Sequence, residues 1–134
     1  HKELMPDEIL DIFTKRYVNI ETKIRTVETH FVQKDGIRAA VTLSVNGEAP
    51  KEFTGTGNGR LDAVSNAIKS GLGLDYTLKV YQEHALETSS KSKAVAYVGI
   101  ESTEGKMFWG AGIHTDIIDS SISALVSAIN NYLA

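Results

Sequence analysis

Residues 52 to 63 read E-F-T-G-T-G-N-G-R-L-D-A, with glycines at 55, 57 and 59 between an apolar stretch and a helix-like one. A strand, a glycine turn and a helix start can cradle an anion, because unpaired backbone N–H groups point outward there. Phosphate is the first anion to test. A phosphate loop needs Lys and then Ser or Thr after its last glycine, to reach phosphate and Mg²⁺, and here Arg60 and Leu61 follow Gly59. A dinucleotide fingerprint needs Gly-x-Gly-x-x-Gly in a β-α-β unit, and the spacing here is Gly-x-Gly-x-Gly. The competing reading is that these glycines permit a tight strand-to-helix turn and close packing.

Other reactive groupings are sparse. His84 stands beside Glu83, and His114 lies two residues before Asp116, but no His-Glu-x-x-His or similar cluster occurs. His84 is expected to face a partner group or solvent from a strand, and His114 and Thr115 to lead into the last helix, with Thr115 or Asp116 as its cap. No nucleophile-elbow motif supports any of the serines as a catalytic nucleophile. The sequence has no cysteine, which excludes disulfides, thiol catalysis and Cys-ligated zinc and fits a reducing cytosol. No catalytic residue, metal ligand or cofactor is therefore assigned. A net charge of −3 without a Lys/Arg cluster argues against nucleic acid, and no apolar run is long enough for a membrane span.

The elements that must position these residues follow from periodicity. Met5-Pro6-Asp7-Glu8 reads as a helix start, with Ile9, Leu10, Ile12, Phe13 and Tyr17 along one face. Strands are expected over 22–32, 37–45 and 50–56, with Asn46-Gly47 as a turn. Leu61, Val64, Ile68 and Leu72 then recur at helical spacing, ended by Gly71 or Gly73. The order repeats: strands over 76–86, 94–100 and 106–111, with Glu104-Gly105 turning, then a helix carrying Ile118, Ile122, Leu125, Ile129 and Leu133. An offset of 55 residues lays Phe53, Gly55 and Gly57 on Phe108, Gly110 and Gly112, Val41, Leu43 and Val45 on Ala96, Val98 and Ile100, and Glu28 on Glu83. This is an α+β chain: an N-terminal helix and two β-β-β-α units related by a pseudo-twofold and sharing one core. The repeat favours the packing role for the glycines, since the second copy continues as Ile113-His114-Thr115-Asp116.

Leu61, Leu78, Tyr81, Ala85, Ala94 and Ile117 fall where the second unit's strands and both helix starts should meet. Plain close packing is one reading. A compact apolar ligand, with its carboxylate on helix N-terminal amides, is the other, and the residues alone leave both open.

Five words of the sequence resemble the C-terminal regulatory domain of 2-isopropylmalate synthase. They are Gly55-Thr56-Gly57-Asn58-Gly59, Tyr81-Gln82-Glu83-His84-Ala85-Leu86, Ala96-Tyr97-Val98, Trp109-Gly110-Ala111-Gly112-Ile113-His114-Thr115-Asp116-Ile117-Ile118 and Ser127-Ala128-Ile129-Asn130. The match covers roughly residues 20 to 131. The resemblance implies that residues 1–20 form a linker helix, and that 21–134 form a regulatory domain of two units, 21–74 and 75–134. It implies a cytoplasmic homodimer that binds L-leucine between the units as feedback inhibitor. It also implies a preceding catalytic barrel that condenses acetyl-CoA with 2-ketoisovalerate and holds a divalent metal. The chain opens at His1 rather than Met, which fits a piece cut from such an enzyme and itself non-catalytic. Family pocket positions fall on Asn58, Gly59, Leu61, Asp62, Leu78, Tyr81, Ala85, Ser92, Ala94 and Ile117.

Two departures stand out. The family commonly has Pro where this chain has Arg60. Its Gly-Asp-Ala element after the fourth strand is replaced here by Glu87-Thr88-Ser89-Ser90-Lys91-Ser92-Lys93. The alternatives are an isoleucine-sensing domain of the citramalate synthase kind and a dimerisation domain without effector. A nucleotide-binding enzyme ranks below both.

Overall fold

A computed structural model of the chain describes residues 6–85 and 93–134. Helix α1 (Pro6–Tyr17) carries Asp7 and Glu8 in its first turn and Lys15 and Arg16 in its last, as the helix dipole favours. It buries none of its residues. Strands β1 (Ile24–Gln33), β2 (Ile37–Val45) and β3 (Lys51–Gly57) form an antiparallel sheet in that order, followed by α2 (Arg60–Leu72). Strands β4 (Tyr76–Ala85), β5 (Ala94–Ser102) and β6 (Met107–His114) form a second such sheet, followed by α3 (Ile117–Leu133). The chain is thus two β-β-β-α units behind an N-terminal helix. No helix among the described residues is long and apolar enough to cross a membrane.

Local chemistry sets the boundaries. Asn46 (φ 52°) and Gly47 (φ 75°) both take the left-handed conformation, and the Glu48 N–H closes their turn on Val45 O before residues 48–50 lead into β3. Gly73 (φ 65°) is the left-handed residue that ends α2. Gly71 stays inside the helix, where a side chain would collide with the Phe53 ring. Strand β6 runs to His114, three residues beyond the expected 106–111, because it stays paired with β5 to Ala94, and Asn19 holds its other edge. The Asn19 N–H donates to Ala111 O, and its side chain exchanges hydrogen bonds with the Ile113 N–H and C=O.

The pairing register corrects the 55-residue offset. Gly55 pairs with Ala39 as Gly112 pairs with Ala96, and Phe53 pairs with Val41 as Gly110 pairs with Val98. From the second strand of each unit onward the repeat is therefore 57 residues. For β1 and β4 it is 52, with Thr26 opposite Leu43 and Leu78 opposite Ile100. The β4–β5 connection is longer than β1–β2 and absorbs the difference. From the second strand onward the slip is two residues, which keeps each side chain on its own side of the pleat, so the wrong offset still matched buried residue to buried residue. For β1 and β4 it is three, an odd slip that sets residues of opposite faces together. Glu83 consequently corresponds to Phe31, not to Glu28.

Each sheet lays its inner face against its own helix, and both units feed one core. Ala39, Val41 and Leu43 of β2 and Ala96, Val98 and Ile100 of β5 are buried with Val64, Ala67 and Ile68 of α2 and Leu125, Ala128 and Ile129 of α3. The helices come so close that Gly55, Gly110 and Gly112 touch helix backbone. A Cβ at any of the three would lie under 3.0 Å from main-chain atoms of α2 or α3.

The two units are also tied reciprocally. Ile24 opens β1, and its N–H and that of Lys23 donate to Asn130 Oδ1 of α3, both at 2.8 Å. The Asn130 amide nitrogen returns hydrogen bonds to Ile20 O and Ile24 O. Tyr76 opens β4, and its hydroxyl meets Ser65 Oγ of α2 at 2.8 Å. Among the described residues, no buried side-chain nitrogen or oxygen lacks a partner.

Two outcomes follow from this packing. Gly112→Ala forces α3 off its sheet and should cost about 3 kcal/mol of stability, read as a lowered urea midpoint. Burial pushes the Tyr76 phenol up to about 12, the Ser65 hydrogen bond only partly opposing it. An unfolded tyrosine ionises near about pH 10. Below that pH the contribution is intact, and it is lost as pH climbs through 10 toward the folded value, at up to about 1.4 kcal/mol per pH unit. Urea unfolding measured across that range should show the loss, and Tyr76→Phe should shrink it.

Candidate functional site

The reciprocal packing leaves two grooves, each between the first strand of one unit and the helix start of the other. The first, about 430 Å³, is lined by Gly59, Arg60, Leu61 and Asp62 at the start of α2, Leu78–Tyr81 and Glu83 of β4, and Ile117 and Ile118 of α3. The second, about 570 Å³, is lined by Arg25–Thr29 of β1, by Asp119, Ile122 and Ser123 of α3, and by Asn19, Glu21 and His114.

Strand β4 reaches the first groove through a bulge between Leu78 and Val80. In a regular strand, residues three apart face opposite sides. The extra residue turns both Leu78 and Tyr81 inward, opposite the buried Ile100 and Val98. Tyr81 remains 43% exposed, so its ring forms a wall and not part of the core. The Tyr81 hydroxyl donates to Glu83 Oε2 at 2.7 Å and lies 2.6 Å from Ser121 Oγ, which also bonds Ile117 O. Partial burial raises the phenol above its ordinary range. The Ser121 hydrogen bond and the Arg60 charge oppose this, and Glu83 adds to it. The group is therefore a neutral donor that fixes the Glu83 carboxylate beside the groove.

The two helix starts differ in a way that matters chemically. At α3 the N-cap is Asp116, whose Oδ1 accepts from the N–H groups of Ile118 (2.8 Å) and Asp119 (3.3 Å). That helix end carries its own anion. At α2 the N-cap is Gly59, which has no side chain to offer, and no side-chain cap bond is present. The Ala63 N–H bonds Gly59 O, so the amides of Arg60, Leu61 and Asp62 are the ones the helix itself leaves open. The first groove thus combines an uncapped helix N-terminus, an apolar wall (Leu61, Leu78, Val80, Ile117) and two acids facing two bases. The second has a self-capped helix and three acids, Glu21, Glu28 and Asp119, beside one base, Arg25, and His114.

Comparison with known proteins bears on this site. A family model described as the LeuA allosteric (dimerisation) domain matches residues 3–133. The chain belongs to that family. Its similarity to proteins named 2-isopropylmalate synthase reaches 54% identity over 133 residues in Desulfitobacterium hafniense, 43% over 141 in Helicobacter hepaticus and 39% over 137 in Rhizobium johnstonii. These alignments take in 99%, 99% and 98% of this chain but only 24–25% of each relative. This LeuA allosteric domain therefore spans about a quarter of the length of the curated relatives it matches.

Of the ten pocket positions named from the sequence, the structure brings Gly59, Leu61, Asp62, Leu78, Tyr81 and Ile117 together around the first groove. Asn58 precedes the cap and does not line it. Ala85 and Ala94 pair with each other at the far end of β4 and β5 and do not line it either. Ser92, like most of the 87–93 loop, lies outside the described residues. Arg60, Lys79, Val80, Glu83 and Ile118 line the groove without having been singled out as pocket residues. Glu83 depends on the bulge, which strict alternation cannot reveal. Elsewhere, His84 is exposed, its ring 6.2 Å from that of Tyr97, and His114 ends β6 at the second groove. Among the described residues no three His, Asp or Glu side chains are placed to hold a metal ion.

Proposed function

We propose that the chain is the feedback-regulatory and dimerisation part of a 2-isopropylmalate synthase and that it binds L-leucine in the first groove. The observation that carries this reading is the uncapped start of α2 facing an apolar wall contributed by the other unit. A free amino acid presents what such a site accepts. Its carboxylate meets the open amides of α2, its ammonium meets Asp62 and Glu83, and its branched side chain lies on Leu61, Leu78 and Ile117. In the parent enzyme, α1 joins this domain to a metal-dependent catalytic barrel that condenses acetyl-CoA with 2-ketoisovalerate, and the whole works as a cytoplasmic homodimer.

Regulation follows from where the groove lies. Its floor belongs to unit two and its amides to unit one, so a ligand held by both favours one packing of the units over another. Only a difference in affinity between two arrangements can inhibit, since equal affinity shifts nothing. An isoleucine effector is the nearest second reading, because Ile117 and Leu78 present surfaces that suit either β- or γ-branching.

Titration calorimetry with leucine, isoleucine and valine separates these readings. Leucine should give a saturable heat and the largest affinity. A preference for isoleucine would move the assignment to the citramalate synthase kind. No heat with any of the three, in a chain that still dimerises, would leave a dimerisation domain without effector.

A further inference from the structure

Arg60 is poorly explained as a helix residue. It occupies the first position of α2, where the dipole is positive and a cation is disfavoured. Helix starts instead favour Pro at that position and acids in the first turn. Among the described residues Arg60 makes no ion pair that would offset this. The other base of the groove, Lys79, does have an acid, lying 3.9 Å from Glu101. The Arg60 guanidinium carbon stands 5.8 Å from the centre of the Phe31 ring, so β1 supports it over an aromatic face. The corresponding residue of α3 is Ile117, next to the self-capping Asp116. One helix end is capped by its own carboxylate; the other has a glycine cap, Arg60 at its first position and Asp62 in its first turn, with no side-chain cap bond.

We propose that Arg60 anchors the carboxylate of the amino-acid effector, working together with the open amides of the first turn of α2. This rests on the reading of the first groove as an amino-acid site. A guanidinium presents two parallel N–H donors that match the two oxygens of a carboxylate, and such charge-assisted pairs are the stronger kind. The ring of Phe31 restricts the side chain, so less freedom is lost when the pair forms. Asp62 and Glu83 remain for the ammonium, and the groove reads the zwitterion from both ends. Arg60 thus makes the site selective for a free α-carboxylate, at some cost to the helix that carries it.

The test compares the wild-type chain with Arg60→Ala and Arg60→Lys, titrated with L-leucine and with L-leucinamide, whose carboxylate is neutralised. Wild type should prefer leucine. Arg60→Ala should lose on the order of tenfold in leucine affinity while its leucinamide affinity stays unchanged, and Arg60→Lys should recover part of the loss. Urea unfolding of ligand-free Arg60→Ala should show stability equal to or above wild type. A variant that binds leucine as wild type does, with the same preference over leucinamide, would overturn the role of Arg60 and leave the groove assignment standing. A fall in binding that merely tracks lost stability would make Arg60 a structural residue. Failure of the wild-type chain to bind leucine at all would remove the site and the anchor together.

Discussion

Backbone-to-backbone contact between helix and sheet is the constraint from which the rest of this domain follows. At Gly55, Gly110 and Gly112 there is no room for even a methyl group between the strand and the helix lying on it. Helices held that close leave space above the sheet only for small residues, and α2 and α3 supply them there with Ala63, Ala67, Ser120, Ala124 and Ala128. A short helix-to-sheet distance lets the two units interlock, each offering the start of its first strand to the other's helix. Asn130 and Tyr76 then close the polar accounts at the two junctions.

The same geometry makes the grooves. A helix seated tightly by glycine near its N-terminus must begin in a fixed place, and its first amides emerge beside the other unit's first strand. The fold therefore offers two equivalent recesses, and sequence decides what becomes of each. Asp116 fills one helix end with its own carboxylate, while Gly59 leaves the other open. Thr26 and Thr29 stand in β1 where Leu78 and Tyr81 stand in β4, so only one recess has the apolar and aromatic wall. One recess thus has an open helix start beside Leu78 and Tyr81, and the other a self-capped helix start beside Thr26 and Thr29.

Much of this was legible in the residues and some of it could not be. Element order and type followed from plain periodicity, because Ala39, Val41 and Leu43 alternate and Leu61, Val64 and Ile68 recur at helical spacing. The turn at Asn46-Gly47 followed from its backbone needs. The repeat was visible but misregistered by two residues from the second strand of each unit onward, since a slip of one full pleat leaves the hydrophobic pattern intact. Strand bulges have no comparable signature, so the inward turn of Tyr81 and the presence of Glu83 in the groove emerged only with the pairing. Residues on the same strand also proved less neighbourly than their spacing suggested. Ala85 stands four residues past Tyr81, on the order of 13 Å along an extended chain.

Backbone amide chemical-shift mapping with added leucine tests most directly whether the uncapped groove is the one that binds. The account predicts the largest shifts at Gly59 to Asp62, Leu78 to Tyr81, and Ile117 and Ile118. Shifts concentrated instead at Asn19, Arg25 to Thr29, Asp119 and Ser123 would place the ligand in the self-capped groove and contradict it.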